Sequence, residues 1–252
     1  MTLTVFFFAL VQLALAITVL LLSHYGFAWL AATLVLVVAA VRWYRRGRSH
    51  RALIGLTPEI LAGLSVVVLI GLNQPPVGQA VFPVASQLTL AIFYATWSVI
   101  LWRWQQPRLY PLIAGVGQLL AVSAIFLATA FWHWPDAVML VVLWLASYAN
   151  ARWLLESTQQ KAANILAATW GLVAAQVGWV LYIWQVNYDI GGGYIIVPQA
   201  AIIIAGIGYC FVSIVTAHSL KRLSRSRLIE YVAIGAALLA IVIAGTRWNG
   251  TI

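Results

Sequence analysis

The hydrophobic positions of this chain form long runs, and its polar positions collect in short clusters between those runs. Each run has roughly 20 residues, the length that an α-helix needs to cross the hydrocarbon core of a bilayer. The runs lie at residues 3–22, 26–44, 53–72, 83–104, 110–131, 135–155, 163–186, 195–218 and 229–247. The pattern predicts an all-α fold, a polytopic transmembrane helical bundle of about nine spans that forms one integral membrane domain over residues 1–252 without a soluble domain.

The composition supports this interpretation, because 64% of the residues are hydrophobic and only 8% are charged. A soluble domain of this size would lack the polar residues that cover its surface. The first apolar run continues through Ala14–Ala16, where a signal-peptidase site could otherwise be read, so we expect an uncleaved first span. The single cysteine, Cys210, excludes an internal disulfide and a cysteine-based metal cluster.

The basic residues alternate between the two ends of the predicted spans. Only Arg247 falls on one side, and the other basic residues all fall on the opposite side, at Arg42, Arg45, Arg46, Arg48, Arg51, Arg103, Arg108, Arg152, Lys161, Lys221, Arg222, Arg225 and Arg227. The positive-inside rule then places the N-terminus in the cytoplasm and the C-terminus outside, in a plasma or inner membrane. Since topology explains the net charge of +9, no nucleic-acid partner is expected.

Small and polar residues form a continuous stripe along the predicted helix at residues 163–186. They recur at steps of three and four, at Asn164, Ala168, Gly171, Ala175, Gly178, Tyr182 and Gln185. Such spacing places side chains on one face of a helix, and small residues on that face let neighbouring helices approach closely in lipid. The stripe predicts that this helix is the packing centre of the bundle.

Three glutamines lie inside predicted spans, at Gln12, Gln118 and Gln176. An amide in hydrocarbon needs a hydrogen-bond partner, so we expect the first, fifth and seventh spans to share an interior. Two interpretations remain open. The amides either form a polar patch that recognises a ligand headgroup, or they join neighbouring helices to each other.

The turn that follows the seventh span has the densest polar groups on the predicted outer face. Its candidate contacts for a ligand or partner are Gln185, Asn187, Tyr188, Asp189 and Gly192, with His133 as a further candidate on the same face. Three successive glycines in this turn permit close backbone approach to another group. The turn is interpreted as a lid, a re-entrant start to the eighth span, a docking loop, or a simple flexible connector.

The remaining ionisable residues argue against most catalytic classes. Glu59 and Asp136 each follow a proline at a helix start, and Glu156 and Glu230 lie among basic residues. No acidic or basic residue lies near the centre of a span, where ion-coupled carriers usually place one. The histidines form no HExxH motif, and no GxSxG motif is present. We therefore predict no catalytic residue, no metal site and no cofactor.

Three functional hypotheses remain. The first is a non-enzymatic multi-pass membrane protein that binds or moves an amphipathic or hydrophobic small molecule, such as a lipid. The second is a structural subunit or assembly factor of a membrane protein complex, with a membrane partner. The third, which the sequence favours least, is a membrane-embedded enzyme that acts on a lipid headgroup through His133, Asp136 and Asp189.

Overall fold

Ten helices and one two-stranded hairpin make up the described part of the computed structural model, which covers residues 2–72, 81–103, 109–183, 186–190, 195–219 and 224–245. In chain order these are α1 Thr2–His24, α2 Ala28–Arg45, α3 His50–Ile54, α4 Thr57–Leu72, α5 Val81–Arg103, α6 Tyr110–Trp132, α7 Asp136–Ser157, α8 Ala163–Ile183, β1 Asn187–Ile190, β2 Ile195–Pro198, α9 Gln199–Ser219 and α10 Arg225–Gly245.

Seven stretches of described helix are long and apolar enough to cross a membrane. They are Phe6–His24, Ala28–Arg45, His50–Leu72, Val84–Trp102, Tyr110–Trp132, Asp136–Ser157 and Ala163–Ile183. Helices α9 and α10 contribute shorter apolar stretches, Gln199–Val215 and Ile229–Leu238. The prediction of a helical bundle with several membrane-length apolar helices is therefore confirmed, and the count of nine spans stays a prediction.

The third predicted span is divided into α3 and α4. The hydroxyl of Ser49 accepts a hydrogen bond from the backbone N–H of Ala52 at 3.1 Å, which caps the start of α3 before the apolar run begins. A second start follows at Thr57, where Pro58 occupies a position whose N–H would have no helical partner. The region therefore forms a short helix and a longer one, and the predicted start at residue 53 is late.

One short hairpin interrupts the otherwise helical pattern of the described residues. Strands β1 and β2 pair antiparallel, with Asn187 opposite Pro198 and Ile190 opposite Ile195. The predicted helix at residues 195–218 is wrong over its first turn, because Ile195, Ile196 and Val197 favour an extended backbone and α9 begins only after Pro198. Helix α8 is described over Ala163–Ile183, and Val186, the predicted end of this span, is not helical.

Two large clusters of buried residues make up most of the described core, beside a small third cluster of Leu69, Ala124 and Leu127. One large cluster is formed by α1, α2, α4 and α5, and the other is built mainly from α6, α7, α8 and α9. Helix α6 is the most enclosed of the membrane-length helices, because 72% of its apolar stretch is buried, against 28% of that of α8. The prediction that α8 is the packing centre is therefore wrong. Its small residues bring it close to α7, but most of its surface is left uncovered by the described residues.

The two glycines of the stripe lie directly against α7. A Cβ built on Gly171 would be 2.7 Å from Cδ1 of Trp144 and 2.9 Å from that residue's carbonyl oxygen. A Cβ on Gly178 would overlap Cδ2 of Leu143. The stripe therefore correctly marks a close helix contact, which is mainly with α7, although α8 is not the centre of the fold.

Candidate functional site

The three predicted interior glutamines lie in different surroundings. Gln12 is fully buried in α1, which packs against α2, α4 and α5. Gln118 is buried in α6, and Gln176 is exposed on α8. The prediction that these helices share one interior is wrong. Neither amide atom of Gln12 has a hydrogen-bond partner among the described residues.

Gln118 belongs to a buried amide cluster between α6 and α7. Its Nε2 donates to Oγ of Ser147 at 2.8 Å, and its Oε1 accepts from Nδ2 of Asn150 at 3.2 Å. The same Asn150 nitrogen donates to the carbonyl oxygen of Ala114 at 2.8 Å. These contacts join two helices to each other, so Gln118 favours the interhelical interpretation over a headgroup-recognition patch.

The turn after α8 does not enclose a ligand-sized space within its described part. Asn187 is exposed, Tyr188 is half-buried, and the backbone of Asp189 pairs with that of Ile196. The void beside Asn187 and Pro198 measures about 10 Å³, near the lower limit for a single water. Gln185 and Gly192 lie outside the described residues, as does the side chain of Asp189, so their predicted role as ligand contacts stays a prediction.

His133 ends α6 in the left-handed backbone region, with φ 51°, and its side chain is exposed. Three residues further on, α7 begins at Asp136, whose carboxylate lies near the hydroxyl of Tyr182 on α8. This proximity puts the start of α7 beside the end of α8. A catalytic pairing of His133 with Asp189 stays a prediction.

A larger cavity lies at the opposite end of the bundle, where α1, α4 and α6 begin and α2, α5 and α7 end. We call it the basic-end cavity, and its volume is about 240 Å³. Its polar walls are Arg42, Arg46, Glu59, Ser98 and Ser157, and its aromatic walls are Phe8, Trp102, Tyr110 and Trp153. None of these residues was a predicted ligand contact, and the predicted contacts in the turn after α8 stay a prediction.

Arg42 and Glu59 form an ion pair on one side of the basic-end cavity. Arg42 lies in the last turn of α2 and Glu59 in the first turn of α4. A cation near a helix C-terminus and an anion near a helix N-terminus are each stabilised by the helix dipole. Each helix therefore favours its own charge, independently of the ion pair. Their side chains are 20% and 15% exposed, which places the pair at the edge of the bundle interior.

Aromatic rings from four helices form the remaining walls. The guanidinium of Arg42 lies 5.5 Å from the centre of the Phe8 ring, and that ring stacks on Trp102 at 4.5 Å. Tyr110 meets the edge of Trp153 at 5.5 Å. The cavity thus combines charged groups with flat apolar surfaces, which is the composition of sites that bind molecules with one polar and one apolar part.

Arg46 is the second cation of the basic-end cavity. It follows α2 directly, and its backbone N–H donates to the carbonyl oxygens of Arg42 and Trp43 at 3.0 and 3.2 Å. Its Nη1 lies 3.9 Å from the point where a Cβ on Gly55 would be. Among the described side chains, ion pairs join Arg42 to Glu59 and Arg152 to Glu156, and none includes Arg46. The charged side chains that line the cavity therefore sum to one positive charge.

A second space, an apolar groove of about 500 Å³, lies between α2, α4, α6 and α7. Trp29, Trp132 and Trp134 line it, and its one polar wall residue, Ser65, donates its hydroxyl to the carbonyl oxygen of Leu61 at 2.6 Å. Helical spacing puts Leu61 and Glu59 on different faces of α4, so the groove and the basic-end cavity are separate.

Comparison of the chain with protein-family models, with curated proteins and with solved structures finds no match. The geometry of the basic-end cavity is therefore the basis for a functional argument.

The hydroxyl of Ser157 in that cavity donates to the carbonyl oxygen of Trp153 at 2.7 Å. Across the described ranges, no three His, Cys, Asp or Glu side chains group as metal ligands.

A sequence signal for this cavity exists, although it is indirect. Arg42 and Glu59 stand 17 positions apart, and each was explained by its own helix end. The alternation of charge nevertheless puts the end of the second span and the start of the third at the same membrane face. Opposite charges at the ends of two successive spans therefore predict an ion pair between them.

Proposed function

We propose that this is a non-enzymatic multi-pass membrane protein that binds or moves an amphipathic small molecule, and that the basic-end cavity is its site. The observation that carries the proposal is one cavity that is lined both by Arg42, Arg46 and Glu59 and by the stacked rings of Phe8 and Trp102. Small-molecule sites are mostly apolar concavities with a few convergent polar groups.

The position of the cavity supports an amphipathic ligand. Helices from both large core clusters line it, and it lies at the ends of the membrane-length helices. In the proposed topology of nine spans with the N-terminus inside, this end faces the cytoplasm. Basic residues near an anionic membrane surface attract acidic amphiphiles, by about 1 kcal/mol for each base. A ligand could therefore enter from the adjoining headgroup layer.

A blocking variant tests the proposal. Leu101 lines the cavity and is half-buried, so Leu101→Trp should reduce the space available to a ligand. Leu88→Trp on the same helix is the matched control, because Leu88 is 46% exposed and does not line the cavity. We expect native mass spectrometry of the purified full chain to show a retained amphipathic molecule in the parent and in Leu88→Trp, but not in Leu101→Trp.

Thermal unfolding of the same three proteins separates blocking from misfolding. An equal set of retained molecules in all three, at comparable melting temperatures, would contradict the proposal. Should Leu101→Trp unfold, Ser157→Phe provides a second blocking variant, on α7.

One observation favours the second candidate, a subunit of a membrane complex. The amide of Gln176 is exposed on α8, although α8 is a membrane-length helix. An amide that faces lipid is costly, and a hydrogen-bonding residue of a partner helix would relieve that cost. A photo-crosslinker at Gln176 should then capture a membrane protein that a crosslinker at exposed Ile165 does not capture.

A further inference from the structure

We infer that the basic-end cavity selects an amphipathic molecule whose headgroup carries one negative charge, a phosphodiester or a carboxylate, and that Arg46 is the residue that pairs with it. The inference rests on the proposed ligand-binding function and adds the chemical class of the ligand. It follows from which charges at the cavity are already compensated and which are not.

Arg42 is already paired. Its guanidinium pairs with the Glu59 carboxylate and lies over the Phe8 ring, so two neighbours compensate its charge. Arg46 adds a second cation close enough to Arg42 for the two like charges to interact unfavourably. An anion beside Arg46 removes that repulsion and leaves the Arg42–Glu59 pair intact.

The backbone holds Arg46 where such an anion would lie. Its N–H closes the last turn of α2, which fixes its Cα at the edge of the cavity. Gly55 has no side chain to fill the space beside Nη1 of Arg46. A guanidinium offers several donors in one plane, which suits two oxygens of a phosphodiester or a carboxylate.

The charge sum also sets the number of negative charges. Arg42, Arg46 and Glu59 together leave one positive charge at the cavity. A headgroup with one negative charge neutralises the site, whereas a zwitterionic headgroup would bring a third cation near Arg42 and Arg46. Phe8, Trp102 and Trp153 offer flat apolar surface to the uncharged part of the same molecule.

Lipid competition on the full chain tests the inference. Native mass spectrometry would compare phosphatidylglycerol with phosphatidylcholine of identical acyl chains, each added to delipidated protein in mild detergent. We expect phosphatidylglycerol to bind roughly tenfold more tightly, as is typical for a charge-assisted hydrogen bond. Arg46→Gln should abolish this preference, and Arg46→Lys should restore part of it.

Arg45→Gln is the matched control, because it removes the same charge from the preceding residue, which is exposed, as Arg46 is, but does not line the cavity. An equal loss of preference in Arg45→Gln and Arg46→Gln would overturn the inference in favour of general surface charge. Equal binding of both lipids to the parent would also overturn it. If Leu101→Trp still blocked both lipids, the proposed function would stand without the charge selectivity.

Two further probes identify the source of the anion. A long-chain fatty acid should compete with phosphatidylglycerol, because it presents a carboxylate on an apolar chain. Inorganic phosphate at millimolar concentration should not compete, because it lacks the apolar part that the aromatic walls would contact. Displacement by inorganic phosphate alone would contradict the amphipathic ligand and would assign the site to a free anion.

Discussion

The Arg42 guanidinium at the end of α2 forms an ion pair with the Glu59 carboxylate at the start of α4. The pair joins two helices that are separated in the chain by the short helix α3, and it forms part of the wall of the basic-end cavity. It therefore contributes both to the packing of the first core cluster and to the charge of the candidate site.

Removing the carboxylate of this pair should destabilise the protein. Glu59→Gln leaves Arg42 partly buried without a counter-ion, at a cost of about 1–3 kcal/mol. Glu156→Gln is the control, because the Arg152–Glu156 pair is formed within one helix and should contribute only about 0.3–0.5 kcal/mol. Unfolding of both variants in detergent measures the difference, and equal losses would contradict the structural role of the Arg42–Glu59 pair.

The same substitution should change ligand preference. Glu59→Gln raises the charge of the cavity lining from one to two positive charges, so a headgroup with two negative charges should gain affinity relative to one with a single charge. Competition between phosphatidic acid and phosphatidylglycerol measures this shift. An unchanged ratio would show that Glu59 lies too far from the bound headgroup to influence it.

Larger side chains on the α8 stripe should disrupt its contact with α7. Gly171→Leu and Gly178→Leu place atoms where Trp144 and Leu143 already lie, and overpacking of this kind costs about 1–3 kcal/mol. Val173→Leu and Val180→Leu, at exposed positions on the same helix, should stay within about 0.5 kcal/mol of the parent. A thermal-shift assay that ranks all four variants equally would contradict the close α7–α8 contact.

The amide cluster between α6 and α7 should also be sensitive to truncation. Asn150→Ala removes the donor to Ala114 and leaves Oε1 of Gln118 without that partner, at an expected cost of about 1–3 kcal/mol. Asn164→Ala, at an exposed position near the start of α8, should cost less than about 0.5 kcal/mol. Matched melting temperatures of the two variants would contradict a structural role for the cluster.

The membrane topology can also be tested. In a Cys210→Ser background, single cysteines at Ser49 and Tyr25 should react with a membrane-impermeant thiol reagent from opposite sides of the membrane. Ser49 precedes α3 at the basic end, and Tyr25 lies between α1 and α2 at the other end. Reaction of both positions from the same side would contradict the proposed orientation.

The helices were predictable because an apolar run of membrane-spanning length directly indicates a helix. The runs at 110–131 and 135–155 match α6 and α7 within two residues at each end. The hairpin was not predictable from hydropathy, since Ile195–Val197 is apolar in either conformation and only its pairing with β1 distinguishes a strand from a helix. The predicted central position of α8 is wrong because a stripe of small residues indicates that a neighbouring helix packs closely. It does not indicate how many helices pack around α8.

The candidate site was less predictable than the fold. Gln12, Gln118 and Gln176 share a residue type and each lie inside a predicted span, but hydropathy does not say which helices are neighbours. Arg42 and Glu59 were each attributed to a helix terminus, and that assignment is correct as far as it goes. The sequence of a single helix does not show that two such termini lie together, or that their contact forms part of the wall of a cavity.

Electron cryo-microscopy of the full chain in nanodiscs of mixed phosphatidylglycerol and phosphatidylcholine would test the central claim most directly. We expect density for an amphipathic molecule in the basic-end cavity, with headgroup oxygens within about 4 Å of the Arg46 guanidinium, the usual limit for an ion pair. Arg46→Gln should lose that density, whereas Arg45→Gln should keep it. A basic-end cavity without lipid density in the parent protein, with ordered ligand density elsewhere, would contradict the account.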